Sequence, residues 1–254
     1  MFPTYANNQQ LGANGYEKYI DSFVATVPVP FISYDNYPTK NGKLDLDVYV
    51  NLEIVSAAAR KAGKPFWAFY QAVEWNVMPP RTLAELRVEA FSNLLYGAQC
   101  IQVFTYWLPP ANGGEKFHDA PVDADGKRTP VYDMVKTING EIRALSRVFM
   151  HAQILKISHA GKTLPPKATP FAPQPPLKSL DVGTGNAVVS YLKNGNATYI
   201  AILNRDLESA LKLTVGFDDI KKVVEIRKDA QDRPLTETTF TVEPGDLLIF
   251  QVKP

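Results

Sequence analysis

The sequence predicts an α/β region, half of a (β/α)8 (TIM) barrel over residues 1–149, followed by an all-β region, an antiparallel β-sandwich over residues 177–254. Three observations lead to this prediction. Short apolar segments alternate with amphipathic ones in the first region, as in parallel strands joined by crossover helices. Residues 164–176 contain six prolines, which favour extended backbone and interrupt helices. Beyond them, runs of alternating apolar and polar residues recur between turn signals.

Four strand-and-helix units are predicted in the first region. The strands are expected over residues 1–5, 30–34, 66–72 and 101–106, and the helices that follow them over residues 15–27, 47–62, 82–96 and 130–149. Because a barrel of this kind closes with eight strands, four units leave an apolar edge open. Another chain, a second copy of this chain or a missing segment would close that edge, or the four strands form a smaller open sheet.

Each predicted helix carries a signal at one of its ends. The signals are Asn14 as an N-cap with Glu17 three positions on, Gly63 closing the second helix, a capping box of Thr82 and Glu85, and Thr129 before Pro130 at the first turn of the last helix. These residues satisfy the backbone groups that helix ends leave unpaired.

The second region begins after a predicted connector. Residues 150–176 are expected to form a connecting strand and a Pro-rich linker, and the β-sandwich takes residues 177–254. The strands of that region are separated by turn signals such as Asn194-Gly195 and Pro244-Gly245. No catalytic cluster is evident there, which favours a structural cap over a carbohydrate-binding module.

Composition excludes several classes of function. The 27 basic and 26 acidic residues are scattered along the chain, so neither nucleic acid nor a membrane is an expected partner. The single Cys100 excludes an intramolecular disulfide, and the three histidines have no ligand-like spacing, so neither a metal site nor a cofactor is expected. The first residues lack the features of a signal peptide, and the compartment is not readable from them.

Polar and aromatic residues follow the predicted strands, where a barrel carries its active site. The candidates are Asp35, Asn36 and Tyr37 after the second strand, Gln71, Glu74 and Trp75 at and after the third, and Tyr106 and Trp107 at the end of the fourth. Aromatic faces stack on the C–H groups of sugars, and polar side chains bind the hydroxyls. This mixture favours a carbohydrate ligand.

Glycoside hydrolysis uses two carboxyl groups, and Asp35 and Glu74 are the two available. Each of these carboxyl groups also has a simpler interpretation. In that interpretation, Asp35 before Asn-Tyr-Pro only stabilises a turn, and Glu74 is a solvated carboxylate in a loop. Trp107 is either a rigid platform for a sugar face or a core residue, and Gln71, Asn36 and Tyr37 orient hydroxyls or make local loop hydrogen bonds.

Four long segments carry a family resemblance. On these segments the chain resembles bacterial glycoside hydrolases whose barrels are similar to those of the family 42 β-galactosidases and which carry a β-sandwich after the barrel. The segments are ISYDNYP (32–38), NLEIVSAAARKAGKPFWAFYQAV (51–73), LRVEAFSNLLYGAQCIQVFTYW (86–107) and APVDADGKRTPVYDMVKTINGEIRAL (120–145).

The resemblance implies a role and a position for each part of the chain. The four strands correspond to strands five to eight of the barrel, and the general acid of the family, a Glu at the end of strand four, precedes this sequence. At the nucleophile position, the end of strand seven, this sequence offers Gln71 and then Glu74. Asp35 matches the Asp-x-Tyr-Pro pattern and is retained as a carboxylate of the site. A periplasmic or extracellular location is implied.

The resulting hypothesis is a glycoside hydrolase that cleaves O-glycosidic bonds of an oligo- or polysaccharide, with a galactosidase-like specificity. The enzyme is expected to be incomplete in this chain. The isolated chain is then expected to be inactive without its N-terminal half-barrel. Two alternatives remain open: a non-catalytic sugar-binding protein that uses Trp107 and Trp75, and a structural fragment that assembles with another half-barrel. The sequence leaves the sugar, the linkage and the stereochemistry of hydrolysis undetermined.

Overall fold

A computed structural model describes residues 15–111 and 113–253. The predicted strand over residues 1–5 and the predicted N-cap Asn14 lie outside these residues. The α-helices are α1 (Gly15–Thr26), α2 (Asp47–Lys61), α3 (Leu83–Leu95) and α4 (Pro130–Phe149). The strands of the first part are β1 (Ile32–Tyr34), β2 (Thr39–Lys40), β3 (Lys43–Leu44), β4 (Phe66–Gln71), β5 (Glu74–Trp75), β6 (Cys100–Phe104) and β7 (Phe117–His118).

The second part is built from strands and one short 3₁₀ helix, Ile220–Lys222. Its strands are β8 (Gln153–Gly161), β9 (Leu177–Asp181), β10 (Asn186–Asn194), β11 (Ala197–Asn204), β12 (Leu211–Phe217), β13 (Val223–Ile226), β14 (Arg233–Pro234), β15 (Thr239–Val242) and β16 (Leu247–Val252). An α/β region followed by antiparallel sheets is therefore the observed order. None of the described helices is long and apolar enough to cross a membrane.

The predicted signals at the ends of α2, α3 and α4 are confirmed. Thr82 and Glu85 form a reciprocal capping box at the start of α3. At α4, the Thr129 hydroxyl accepts the backbone N–H of Val131, and proline occupies the first turn. Gly63 follows α2 with a φ of +62°, a left-handed conformation that favours glycine.

Three predicted strands, β1, β4 and β6, form a parallel sheet with β4 in the centre. One face of this sheet is buried: Ile32, Phe66 and Ala68 pack in one core with residues of α2 and α3. The opposite face, which includes Trp67 and Gln102, is only half-buried. Among the described strands, β6 pairs with β4 alone, so its outer edge carries no partner there.

The antiparallel strands form two sheets that share an apolar core. The first has six strands in the order β14-β13-β16-β11-β10-β8, and the second has three in the order β15-β12-β9. Val189, Ile202 and Phe250 of the first sheet pack with Leu213 and Phe240 of the second. The predicted turn at Asn194-Gly195 joins β10 to β11.

The central strands of the six-stranded sheet, β16, β11 and β10, are buried on both faces. Val188, Leu203 and Ile249, on the face away from the second sheet, belong to the same core as α2 and α3. Strand β8 pairs with β10 along its length, so residues 153–161, which the sequence assigned to the connector, form an edge strand of this sheet. The antiparallel part is thus packed directly onto the helices of the first part.

Candidate active site

The parallel register brings three chain segments to one edge of the sheet. Ile32 pairs with Phe66 at the start of β1 and β4, and Gln71 pairs with Phe104 at the end of β4 and β6. Because the strands are parallel, the residues that follow their carboxyl ends meet at this edge. Asp35 follows β1, Glu74 follows β4 and Trp107 follows β6.

Asp35 is a half-buried carboxyl. Its burial raises its pKa, and its own backbone opposes that rise. No ion pair within 4.0 Å joins Asp35 to a cation among the described residues, so burial is the main influence on its charge. The negative charge of Asp35 in turn contributes to the raised pKa of Tyr37, after burial, which is the larger cause.

Aromatic side chains line the same edge. The Tyr37 ring stacks on Phe104 with centroids 5.3 Å apart and meets the edge of Trp75 at 6.5 Å. Phe117 lies edge-on to Trp75 at 6.4 Å and to Phe104 at 6.5 Å. Tyr37, Phe104, Trp75 and Phe117, which we call the aromatic group, join the ends of β1 and β6 to the β5–β7 ribbon.

Tyr106 and Trp107 are exposed beyond the end of β6. The exposed fractions are 56% for Tyr106 and 53% for Trp107, so the interpretation of Trp107 as a core residue is wrong. The backbone holds Trp107 in place, because its carbonyl accepts a 2.6 Å hydrogen bond from the Thr105 hydroxyl and it forms a β-bridge with Val122. A broad ring on a fixed backbone suits stacking on an apolar ligand face.

Glu74 is 5% exposed, so the interpretation of Glu74 as a solvated loop carboxylate is wrong. Its Oε1 accepts a 3.1 Å hydrogen bond from Nη1 of Arg81, whose side chain is fully buried. Burial raises the pKa of Glu74, and Arg81 acts against that rise. The neighbouring carboxylates Glu85 and Glu89 raise it further.

Arg81 joins three carboxylates in one buried network. Besides Glu74, its guanidinium donates to Glu89 Oε1 at 2.6 Å and lies 3.9 Å from Glu85 Oε1. Glu89 also accepts the Thr39 hydroxyl and, at 2.8 Å, the backbone N–H of Gln71. We call Glu74, Arg81, Glu85 and Glu89 the Arg81 network.

Gln71 and Asn36 are buried polar residues, and Asn36 lines a small cavity together with Glu89 of the network. The Gln71 side-chain amide donates to the Val73 carbonyl at 2.8 Å, while its Oε1 is buried without a hydrogen-bond partner among the described residues. Gln71 is therefore fixed by local bonds with one acceptor unused. Asn36 lies between the half-buried Asp35 and Tyr37 in sequence.

The short β5–β7 ribbon brings His118 into this region. His118 is the strand partner of Glu74, and its Nδ1 lies 2.6 Å from Asp119 Oδ2. The described residues contain no group of three or more His, Cys, Asp or Glu side chains arranged to hold a metal ion.

The structure thus places the predicted residues in two groups. Asp35, Tyr37 and Trp75 are linked through the aromatic group and the charge of Asp35, whereas Glu74 belongs to the Arg81 network. Sequence reasoning missed Arg81 and Glu89. A signal for Glu89 was present, because it lies between Val88 and Ala90 on the buried side of α3, where a carboxylate needs a partner.

Comparison with known proteins adds a family match. The family model for glycoside hydrolase family 42, described as beta-galactosidase, matches residues 4–145. That range contains every residue of the two groups. No curated protein matches this sequence significantly.

Solved structures with likeness to this chain include three glycoside hydrolases. A beta-galactosidase from the psychrophilic Marinomonas ef1 has 15% identity and a TM-score of 0.38, with 46% of this chain and 21% of that chain covered. A GH27 β-L-arabinopyranosidase from Geobacillus stearothermophilus has 11% identity and a TM-score of 0.28, covering 95% and 61%. A GH29 alpha-L-fucosidase from Bacteroides thetaiotaomicron has 13% identity and a TM-score of 0.35, covering 87% and 42%. This chain spans less than two-thirds of the length of each.

Proposed function

Since this chain belongs to glycoside hydrolase family 42, the beta-galactosidase family, we propose that it forms part of an enzyme that hydrolyses O-glycosidic bonds, with galactosides as the first substrates to test. The observation that carries the proposal is the half-buried Asp35 carboxyl beside the aromatic group, at the carboxyl ends of parallel strands within the matched range. This edge is where a barrel enzyme of the family would bind a sugar.

For the architecture, we propose that residues 1–149 contain strands five to eight of a (β/α)8 barrel and that residues 177–254 form a β-sandwich. The connecting residues 150–176 contribute β8 to one of its sheets. The unpaired outer edge of β6 and the half-buried face of the parallel sheet support the barrel assignment, because both would be covered in a closed barrel. The shared core of the two antiparallel sheets supports the sandwich.

In the chemistry that we propose, one carboxyl group protonates the leaving oxygen as the bond to the anomeric carbon breaks. The second carboxylate attacks that carbon or deprotonates the water that does so. Asp35 suits one of these tasks because it is half-buried and close to the aromatic group. Glu74 is the second candidate, and its ion pair with Arg81 favours its ionised form.

Sugar binding is proposed for the remaining residues. Trp107 and Tyr106 offer exposed rings beyond β6, and Trp75 and Tyr37 belong to the aromatic group. Asn36 and Gln71 supply polar groups for hydroxyls. A periplasmic or extracellular location is proposed with this function, as the resemblance to such bacterial enzymes implies.

The test compares the 254-residue chain with the same chain extended by, or mixed with, an N-terminal half-barrel. No turnover of an aryl β-galactoside is expected from the chain alone, and turnover is expected after addition. In the active form, Asp35→Asn and Glu74→Gln should each lower kcat by at least about 100-fold, the scale of a lost acid or base. Asp21→Asn, on the surface of α1, is the matched control. Full activity of both site variants would refute the assignment.

A second function is favoured by one observation, the 53% exposure of the Trp107 ring. In this alternative the chain binds a glycan without cleaving it, using Trp107 and Trp75 as stacking surfaces. Trp107→Ala should then abolish glycan binding while Asp35→Asn leaves it intact. Binding that depends equally on Asp35 would favour the catalytic proposal instead.

A further inference from the structure

A second cleft lies where the β2–β3 hairpin approaches the antiparallel part of the chain. Its volume is about 480 Å³, within the usual range for small-molecule sites of about 300–1,000 Å³. Lys43 of the hairpin lines one side, and Thr163, Asn186, Arg205 and Asp206 line the other. None of these residues belongs to the aromatic group or to the Arg81 network.

Arg205 is a buried cation in the wall of this cleft. It is 5% exposed, and Nη2 donates to the Thr163 carbonyl and lies 3.5 Å from Asn186 Oδ1. Its Nε is buried without a hydrogen-bond partner, and no carboxylate lies within 4.0 Å of the guanidinium, within residues 15–111 and 113–253. The Tyr49 ring, whose centroid lies 6.0 Å from the guanidinium carbon, is a cation–π partner of Arg205. A buried charge with no counter-charge is still costly, and a bound anion would supply that counter-charge.

Lys43 adds a second positive charge at the exposed rim of the cleft. It has no ion pair with a carboxylate in the described part of the chain. Lys43 and Arg205 come from distant parts of the sequence, so only the packing of the hairpin against the antiparallel sheets places both in one cleft.

The same cleft also has two acidic residues. One oxygen of Asp206 accepts the backbone N–H groups of Glu208 at 2.9 Å and Ser209 at 2.8 Å, which leaves its other oxygen for a ligand. Glu208 is exposed and also lines the cleft. The cleft therefore offers donors to an anion and carboxylate acceptors to hydroxyl groups.

We propose that this cleft binds a hydroxylated carboxylic acid of the hexuronate class. The ligand carboxylate accepts hydrogen bonds from Arg205, whose planar guanidinium matches carboxylate geometry. The ring hydroxyls donate to Asp206 and Glu208. A neutral sugar leaves Arg205 without a counter-charge, and a phosphate dianion is repelled by the two acidic residues.

This site is independent of the proposed hydrolysis, because its test measures binding without turnover. Galacturonate is titrated into the full chain by isothermal calorimetry, with galactose and inorganic phosphate as separate probes. Saturable galacturonate binding is expected. Weaker binding is expected for phosphate. Any binding of galactose is expected to be the same in the unaltered chain and in Lys43→Gln.

Three variants locate the site. Arg205→Gln should weaken galacturonate binding by at least about tenfold, the scale of a lost charge-assisted hydrogen bond. Lys43→Gln, at an exposed position where folding is not at stake, should weaken it about twofold to threefold. Arg143→Gln, on the exposed surface of α4, is the matched control and should leave it unchanged.

The proposal is overturned if galacturonate fails to bind the unaltered chain, or if it binds Lys43→Gln and the control variant equally well. It is also overturned if phosphate binds as tightly as galacturonate, since the hydroxyl contacts would then contribute nothing. Circular dichroism of Arg205→Gln separates lost binding from lost fold, and the Lys43→Gln result stands where that variant does not fold.

Discussion

The two carboxyl groups of the candidate site differ in what surrounds each of them. Asp35 is half-buried, and burial alone accounts for most of the rise in its pKa. Glu74 is more completely buried but bonded to Arg81, which opposes the effect of burial. Burial is the largest cause of the raised pKa in both groups, and of the two Glu74 alone has an ion pair, at 3.1 Å, that opposes this rise.

Replacing Arg81 with methionine should destabilise the chain strongly. The change leaves three carboxylates buried without their cation, a loss of about 3–5 kcal/mol. Urea unfolding at neutral pH measures it. Arg227→Met is the control, because that guanidinium pairs with Asp229 at the surface and its loss should change little. Unchanged stability of the Arg81 variant would contradict the buried network.

His159 makes stability depend on pH. It is buried, its Nε2 lies 3.1 Å from the Tyr96 hydroxyl, and burial followed by the charge of Arg205 lowers its pKa to about 3. The histidine of the unfolded chain has a pKa of about 6.5, so below that pH the unfolded chain binds a proton that the folded chain does not bind. The contribution of neutral His159 to the free energy of unfolding is fully present above pH 6.5 and is lost progressively as the pH falls from there towards about 3.

The corresponding experiment compares unfolding free energies at pH 7 and pH 5. The unaltered chain should lose about 2 kcal/mol more than His159→Gln, which keeps a polar group and removes the titration. Equal losses would show that His159 does not control this interval.

At the scale of the elements, helix α3 is one of the contacts between the two parts of the chain. Its buried face packs on β4, while residues of β10 and β11 join the same core. Charged contacts surround this core: Arg87 pairs with Glu141 and lies 3.4 Å from Asp246, and Lys228 lies 3.0 Å from Glu141. The turn before β16 thus lies against the start of α3.

Gly245 in that turn is required by space as well as by backbone angle. Its φ is +68°, and a Cβ atom there would overlap the carbonyl of Ala84. Gly195 has a φ of +58° with nothing near the position of a Cβ. Replacing either glycine with alanine places a residue with a Cβ atom in left-handed backbone, which costs about 1–2 kcal/mol.

We therefore expect Gly245→Ala to cost clearly more than Gly195→Ala. The difference reports the overlap with α3 alone, because the backbone strain is common to both. Thermal and urea unfolding of the two variants measure it. Equal costs would indicate that the turn moves away from α3 without penalty.

On the scale of the whole molecule, the six-stranded sheet is shared by two cores. Val188 and Ile249 pack with the helices, while Val189 and Phe250 pack with the second sheet. Neither core is complete without this sheet. The two parts of the chain are therefore expected to unfold together, since loss of the sheet exposes apolar surface on both sides.

Cooperative unfolding has a direct test. Far-ultraviolet circular dichroism and tryptophan fluorescence should give one coincident transition in urea. All three tryptophans, Trp67, Trp75 and Trp107, lie in the first part of the chain, so fluorescence reports that part. Two separate transitions would mean that the parallel and antiparallel parts are stable independently of each other.

Assembly is also tested at this scale. If two half-barrels pair to cover the open edge of β6, light scattering should give twice the 28.2 kDa mass of the chain. A monomer at that mass would exclude pairing and favour completion of the barrel by a separate segment.

The local elements were determined by the sequence itself. Apolar periodicity and capping residues predicted the four helices and the strands β1, β4 and β6, because these signals act over a few residues. The same reasoning placed Asp35 and Trp107 directly after strands. The family was indicated separately, by the resemblance of four long segments, and the family match over residues 4–145 confirms it.

Only the tertiary structure decided which side chains meet. Thr39 and Gln71 contact Glu89 from 50 and 18 residues away, and Lys43 and Arg205 line one cleft although they are distant in sequence. The burial of Glu74 and the exposure of Trp107 were likewise set by packing. The physical reason is that a helix or strand is specified by neighbours along the chain, whereas burial and charge pairing depend on segments that meet only after folding.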